Sequence, residues 1–242
     1  MDNILENSIS YDESVMPHTD RIIEAYLGEY ASGKSENAIA RAVSLAAQGR
    51  RVTLVDLDLA EPCYTLRPLI KPLAELGVEV IAWKTKQLAG IGETGQLLHP
   101  AARWALMREG DIIFDIGYDS HGTQFLDLLE NPDGAAVRII LVANHSRPLT
   151  DTAEKLINYV IAVEGVTALL ANTHMAEETS VELVLDGLVK TAAVAEKLGL
   201  PIDALSVSAE FMEKHSDFTI PAEINNDIEL RVLRRLMPQG FW

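Results

Sequence analysis

The residues with the clearest chemical potential lie near the start of the chain, in the run Gly28-Glu29-Tyr30-Ala31-Ser32-Gly33-Lys34-Ser35, which matches the pattern G-x-x-x-x-G-K-[ST]. Glycines let the backbone curl so that successive N–H groups face an anion, and a following helix adds its positive end. The lysine can reach the terminal phosphates of a nucleotide, and the final hydroxyl can bind Mg²⁺. We therefore predict a phosphate loop over residues 28–35, with Lys34 on phosphate, Ser35 on the metal and Glu36 beside the nucleotide. An ordinary strand-to-helix turn is the alternative, but such a turn requires neither the lysine nor the serine.

Acidic partners for a metal and a water molecule are expected at the ends of neighbouring strands. Asp56 and Asp58 follow one apolar run, and Asp115 lies at the end of another. Because parallel strands bring their carboxyl ends to one edge of a sheet, we predict that these three carboxylates meet there. The alternative for each is that it caps the next helix.

The elements that must position these residues are read from hydrophobic periodicity. Helical stretches separate seven apolar runs, predicted as strands at Arg21–Leu27, Arg51–Leu57, Val78–Trp83, Asp111–Ile116, Val137–Ala143, Val166–Ala171 and Ile202–Val207. One helix is predicted to start at about Ser35, and another to cover Glu223–Leu236. Two more are predicted to begin after N-cap residues that are followed three positions later by a glutamate: Asp151 with Glu154, and Thr179 with Glu182. Near-continuous apolar strands between capped helices indicate a three-layer α/β domain with a mostly parallel central sheet flanked by helices. We expect residues 1–19 to be a flexible leader and residues 20–242 to form a single domain.

Composition narrows the function classes. The chain has 242 residues and a formal net charge of −16, from 20 Lys+Arg and 36 Asp+Glu. Such an acidic chain is a poor candidate for nucleic-acid binding, which needs a basic footprint. A single cysteine excludes an internal disulfide, and no apolar run approaches the ~20 residues of a membrane span. We expect a cytoplasmic protein without a membrane span.

Several motifs occur in a familiar order: the phosphate loop, VTLVDLDLAEP, DIIFDIG, VANHSRPLTD and LLANTHM. Together they resemble the MinD/ParA branch of P-loop ATPases (the CobQ/CobB/MinD/ParA nucleotide-binding superfamily), and in particular an uncharacterised ATP-binding subgroup. The resemblance covers about residues 21–211, and it implies a P-loop NTPase fold.

The resemblance also implies roles for individual residues. By motif, Asp56 would support Mg²⁺, Asp58 would orient the attacking water as a catalytic residue with Lys34, and Asp115 would be the metal-associated aspartate. Asn172 would read the edge of adenine, and Ser208 would lie in a loop packed against the base. The implied ligands are ATP or ADP and Mg²⁺.

Position 29 departs from the family pattern. MinD/ParA proteins place a lysine directly after the first glycine, and in their ATP-bound dimers it reaches the phosphates of the partner. Here that residue is Glu29, and phosphate would repel a carboxylate. We therefore expect slow hydrolysis, and a homodimer remains an open alternative.

Other polar residues are expected at the same sheet edge. Asp119 and His121 could form a switch loop or a solvated turn. His145 and Arg147 follow the fifth predicted strand. Arg147 could contact phosphate or a partner, although a surface salt bridge is the favoured interpretation.

A second polar group follows the sixth predicted strand. It contains His174, Glu177 and Glu178, which could imitate a metal site. One histidine and two adjacent acids lack a firm metal-ligand geometry. The group is therefore better interpreted as the acidic residues that commonly precede or begin a helix.

Three functions remain in competition. The favoured one is a Mg²⁺-dependent ATP-binding protein with slow ATPase activity, acting as a nucleotide switch for an unidentified protein partner. The second is an ATP-dependent ligase or kinase acting on a small carboxylate, with Lys84 and Lys86 supplying cations. The third is a non-hydrolysing interaction protein that keeps only the shape of the loop.

Overall fold

The fold is an eight-stranded parallel sheet with helices on both faces. The computed structural model describes residues 21–58, 66–83, 98–117, 122–224 and 227–236. In chain order the strands are β1 Ile23–Leu27, β2 Val52–Leu57, β3 Val78–Ile81, β4 Asp111–Ile116, β5 Arg138–Ala143, β6 Ala168–Ala171, β7 Ile202–Ser208 and β8 Glu229–Leu233. Each strand pair within this part of the chain is parallel, and the spatial order is β3-β2-β4-β1-β5-β6-β7-β8.

Helices cover the two faces of the sheet and bury its apolar strands. The α-helices are α1 Lys34–Ala47, α2 Ile70–Glu75, α3 Ala153–Val163, α4 Val181–Leu198 and α5 Ala209–Lys214; 3₁₀ segments lie at Arg67–Leu69, Ala102–Met107, Gly122–Leu128 and Ala176–Glu178. One core lies between the sheet and α1 with α2, where Ile39, Leu54 and Ile113 are fully buried. The second core lies on the opposite face under α3 and α4, around Phe114 and Leu156. This layered arrangement confirms the α/β fold class predicted from the sequence.

The edge strand β8 corrects the prediction of a helix over residues 223–236. Within the described part of that range, Glu229–Leu233 pairs in parallel with β7, from Ala204 opposite Glu229 to Ser208 opposite Leu233. Arg231 explains the choice, because its guanidinium forms an ion pair with Asp203, whose carboxylate is buried in β7. A helical period in a short segment is a weak preference, and this tertiary contact overrides it.

The predicted helix caps are displaced by one residue. Thr152, not Asp151, is the N-cap of α3: its backbone is extended and its Oγ1 accepts a hydrogen bond from Lys155 N at 3.2 Å. Ser180, not Thr179, caps α4 by accepting from Leu183 N. In each pair the preceding residue has another partner, since Asp151 pairs with the Lys155 ammonium and Thr179 accepts from Met175 N.

β1 occupies the position that matters for a site. It lies between β4 and β5, at the point where the chain order of the sheet reverses direction. Crevices in open α/β sheets form outside the carboxyl ends of strands at such switch points. The phosphate loop follows β1 at the carboxyl edge of the sheet, and the aspartates near the ends of β2 and β4 lie at the same edge.

Candidate functional site

The phosphate loop connects β1 to α1 through two close backbone approaches. At Gly28 an added Cβ would lie 2.5 Å from Ser32 Oγ and 2.7 Å from Val142 O, so no larger residue fits without movement. Gly33 has φ +93° and is the N-cap of α1, and a Cβ there would lie 2.1 Å from the amide nitrogen of Asn172. Both glycines are therefore required by the shape of the loop.

The start of α1 has no side-chain cap. Gly33 offers no capping side chain, and the first-turn N–H groups of a helix have no intrahelical acceptor. These amides and the positive end of the helix dipole point out of the carboxyl edge of the sheet. This is the arrangement that the motif predicts.

Lys34 lies at the centre of a cluster of carboxylates. Its Nζ is 3.1 Å from Asp58 Oδ2, and both side chains are almost fully buried. Asp56 and Asp115 are opposite each other on β2 and β4, as predicted from the strand ends. Asp56 is held by backbone donors, accepting from Asp58 N at 3.1 Å and Leu66 N at 3.2 Å.

Asp115 is the most perturbed member of this cluster. Its complete burial raises its pKa from 3.8 to about 8, and the negative charges of Asp58 and Asp56 add to the effect, while Lys34 and a hydrogen bond from the Ser35 side chain oppose it. Its Oδ1 is buried and has no hydrogen-bond partner among the residues that the structure describes. A carboxyl group with this pKa is mostly protonated at neutral pH.

Glu29 turns away from the loop interior. Its side chain packs against the segment after β5, where Oε2 accepts from Leu149 N at 2.9 Å and Thr150 Oγ1 at 3.3 Å. Burial raises the pKa of Glu29, although these two hydrogen bonds and the nearby Arg147 oppose the shift. Glu29, which departs from the MinD/ParA pattern, is therefore bound by the protein's own backbone and hydroxyl donors.

Arg147 corrects the sequence interpretation of a surface salt bridge. Its Nε donates to the carbonyl oxygen of Ala31 in the phosphate loop at 3.0 Å. Asn172 approaches the same loop from the end of β6, where its Nδ2 donates to Ser32 O at 2.7 Å. The loop is therefore contacted from outside by residues that follow two different strands.

A pocket opens beside the loop, between the ends of β6, β7 and β8. His174 on its wall is neutral at physiological pH, because burial, aided by the positive charges of Arg147 and Arg235, lowers its pKa to about 4. Ser208, expected in a loop, is instead the N-cap of α5, where its Oγ accepts from Phe211 N at 3.0 Å. The pocket lining includes Gly33, Glu36, Asn172, Ser206, Ser208, Leu233 and Arg235.

No protein-family model matches the chain, and no curated protein matches it. Among solved structures, the cell division protein FtsY of Thermotoga maritima is 19% identical, with a TM-score of 0.52 over 79% of this chain and 63% of that chain. FtsY of Mycoplasma mycoides is 14% identical, with a TM-score of 0.52 over 78% and 60% of the two chains. The signal recognition particle receptor FtsY of Elizabethkingia anophelis, solved with GDP, is 15% identical, with a TM-score of 0.51 over 84% and 62%. The chain spans about six-tenths of the length of these proteins.

The chain has the P-loop NTPase fold. In that fold, the phosphate loop follows the first strand and opens a helix, as residues 28–35 do here. The resemblance to the MinD/ParA branch is a finer statement than the fold and stays a prediction.

The structure brings most of the predicted site residues to one edge. Lys34, Ser35, Asp56, Asp58 and Asp115 form one cluster, and Asn172 contacts the loop beside it. Tyr30 is 45% exposed at the loop tip. Lys84, Lys86, Asp119 and His121 lie outside the described residues.

The residues around the cluster fit a magnesium ion. Mg²⁺ prefers oxygen ligands and commonly takes one or two from protein, with water and phosphate completing its shell. The orphaned Oδ1 of Asp115 and the Ser35 hydroxyl next to it supply such oxygens. In the described part of the chain no group of three or more His, Cys, Asp or Glu is placed to hold a metal by itself, so His174, Glu177 and Glu178 form no such group.

Sequence reasoning missed the partners of the loop. Leu149 and Thr150 lie in the run VANHSRPLTD, but nothing in that motif predicts that they bind Glu29 through a backbone amide and a hydroxyl. The contribution of Leu233 and Arg235 to the pocket was missed because that segment was predicted as a helix.

Within the described residues, no helix has both the length and the apolar character needed to cross a membrane.

Proposed function

We propose that this protein binds a purine nucleoside triphosphate, ATP in preference to GTP, together with Mg²⁺ at the phosphate loop. One observation carries the proposal: Lys34 and Ser35 open α1 directly beside Asp58 and Asp115. A strand-to-helix turn without a ligand has no need to bury a lysine in a group of carboxylates, because burying charges is costly.

The residues of the cluster have separable roles in this proposal. The loop amides would hold the phosphates, and Lys34 would exchange its Asp58 partner for phosphate oxygens. Asp58, released from Lys34, is then placed to orient an attacking water. Ser35 and Asp115 would hold Mg²⁺ with Asp56 in support, and the metal would neutralise charge on the phosphates.

The base would occupy the pocket beside the loop. The lining of this pocket includes Gly33 of the phosphate loop and Asn172, which donates to that loop, together with Ser208 at the end of β7 and Arg235 after β8. The preference for adenine rests on the resemblance of Asn172 to an adenine-reading asparagine. Because one structural neighbour was solved with GDP, GTP is the nucleotide against which ATP is compared.

Slow turnover and a switching role complete the proposal. The position at which MinD/ParA proteins supply a cation to the phosphates is Glu29, and it faces Leu149 and Thr150 instead. A site without that cation favours a long-lived bound state, which suits a switch that is read by a protein partner. Nothing in the described part of the structure favours the ligase or kinase alternative.

Isothermal titration with Mg·ATP and with Mg·GTP tests the proposal. We expect saturable binding of Mg·ATP that Lys34→Ala weakens about 100-fold, because the variant loses charge-assisted contacts to phosphate. Lys190→Ala is the matched control, since Lys190 is partly exposed and pairs with Asp186 one turn away on its own helix, α4. Phosphate release at a low rate would accompany binding. No binding of either nucleotide at millimolar concentration would refute the proposal.

A further inference from the structure

The backbone of the phosphate loop requires an external support. Ala31 has φ +56°, a left-handed conformation that residues with a side chain seldom adopt, and Gly33 follows at φ +93°. Within the loop, one turn hydrogen bond runs from Ser32 N to Glu29 O at 3.0 Å. The unusual conformation of Ala31 persists only where surrounding contacts hold it.

Two contacts in opposite directions link this loop to the segment after β5, residues 144–151. Glu29 reaches out to the segment, where Leu149 N donates to its carboxylate at 2.9 Å. Arg147 reaches back to the loop and donates to Ala31 O at 3.0 Å. Glu29 is only 6% exposed, so the carboxylate contact is shielded from water and strengthened by that shielding.

The segment is itself fixed to the sheet. Asn144 O accepts from Thr150 Oγ1 at 2.7 Å and from Arg147 N at 3.0 Å, which closes the segment on itself. His145 N donates to Thr173 Oγ1 at 3.1 Å, which ties it to the end of β6. The segment that supports Ala31 is therefore itself anchored at the ends of β5 and β6.

The charges also match. A carboxylate next to a polyphosphate would repel it, but Glu29 lies beside Arg147, whose positive charge acts on it. Arg147 in turn is directed to a backbone carbonyl of the loop. The pair thus adds no net charge near the phosphates while it fixes two residues of the loop.

We propose that Glu29 and Arg147 are positioning residues that form a clasp (Glu29 with Leu149 and Thr150, Arg147 with Ala31), which sets the phosphate loop for a polyphosphate within a single chain. This inference rests on the proposed function and deepens it. A chain whose loop is already set loses less affinity to reorganisation when the ligand binds. It also needs no second copy of itself to complete the loop.

Hydrogen exchange and titration on the full chain test the clasp. The variants are Glu29→Ala and Glu29→Gln, with Glu178→Ala as the control, since Glu178 is an exposed glutamate at the same edge of the sheet. In Glu29→Ala, amide exchange over residues 28–36 of the nucleotide-free chain should become about ten-fold faster, while exchange in α3 stays unchanged. The dissociation constant for Mg·AMPPNP should rise about ten-fold. Glu29→Gln should remain close to the unaltered chain, because its amide oxygen still accepts from Leu149 N.

The outcomes separate the clasp from the proposed function. Unchanged exchange and unchanged affinity in Glu29→Ala would overturn the clasp, as would equal loss in the Gln variant and the Glu178 control. Affinity that rises with protein concentration would overturn the single-chain statement. If the unaltered chain bound neither Mg·AMPPNP nor Mg·GMPPNP, the proposed function would fall, and the exchange measurement would still decide whether Glu29 holds the loop.

Discussion

The buried carboxyl group of Asp115 provides a quantitative test of the cluster around Lys34. Its pKa of about 8, against 3.8 in an exposed chain, means that the folded chain keeps a proton that the unfolded chain has already lost at neutral pH. Stability then falls as pH rises between these two values. From pH 5.5 to pH 7.5 the contribution of Asp115 to stability should decrease by about 2 to 3 kcal/mol, because one pH unit changes it by at most ~1.36 kcal/mol.

The perturbation is Asp115→Asn, which keeps the shape of the side chain and removes the ionisation. Relative to the unaltered chain, this variant should gain about 2 to 3 kcal/mol of unfolding free energy between pH 5.5 and pH 7.5. Urea unfolding in EDTA without nucleotide measures the two values. Taking the difference between variant and unaltered chain cancels the histidines, whose own titration falls in the same range.

Asp111→Asn is the matched control at the opposite end of the same strand. Burial opposes ionisation of Asp111, but hydrogen bonds from Arg50 and Ile22 N outweigh it and hold its pKa below the ordinary value. Its stabilising effect is therefore lost only in acid below that value, and the variant should be destabilised by the same amount at pH 5.5 and pH 7.5. If Asp115→Asn also showed no pH-dependent difference, the carboxyl group would be ionised in the folded chain, and our account of the cluster would be wrong.

Two further substitutions test the loop and the pocket. Gly33→Ala should abolish nucleotide binding and lower the unfolding midpoint, because its Cβ would meet Asn172 Nδ2 at 2.1 Å. Gly49→Ala is the control: its φ of +78° carries the same backbone strain of about 1–2 kcal/mol, but a Cβ there has no atom within 4 Å, so this variant should bind nucleotide normally. Ser208→Ala removes the cap that accepts from Phe211 N and should cost about 1 kcal/mol in thermal unfolding; an unaltered midpoint would contradict that capping role.

The fold could be predicted from the sequence because its signals are local. Asp111–Ile116 matches β4 residue for residue, and the motif of the phosphate loop fixes how β1 meets α1. Asp56 and Asp115 each lie near the carboxyl end of a predicted strand, and neighbouring parallel strands bring such ends together, so their proximity could also be predicted. The edge strand β8 escaped prediction, since its pairing depends on the distant Asp203.

The orientation of the side chains at the site could not be predicted from the sequence. Glu29 could have faced the phosphates, solvent or the protein, and its partner Leu149 is 120 residues away in the chain. Arg147 was recognised as a candidate, but its acceptor is a backbone carbonyl, which carries no sequence signal. Contacts to the main chain depend on the folded path, so periodicity and motifs do not reveal them.

A crystal structure of the chain with Mg²⁺ and AMPPNP tests the central claim most directly. We expect the phosphates on the amides of residues 28–35, Lys34 moved from Asp58 to a phosphate oxygen, and the base in the pocket beside Ser208. Phosphates bound elsewhere, or a loop that stays empty with Lys34 still on Asp58, would contradict the account.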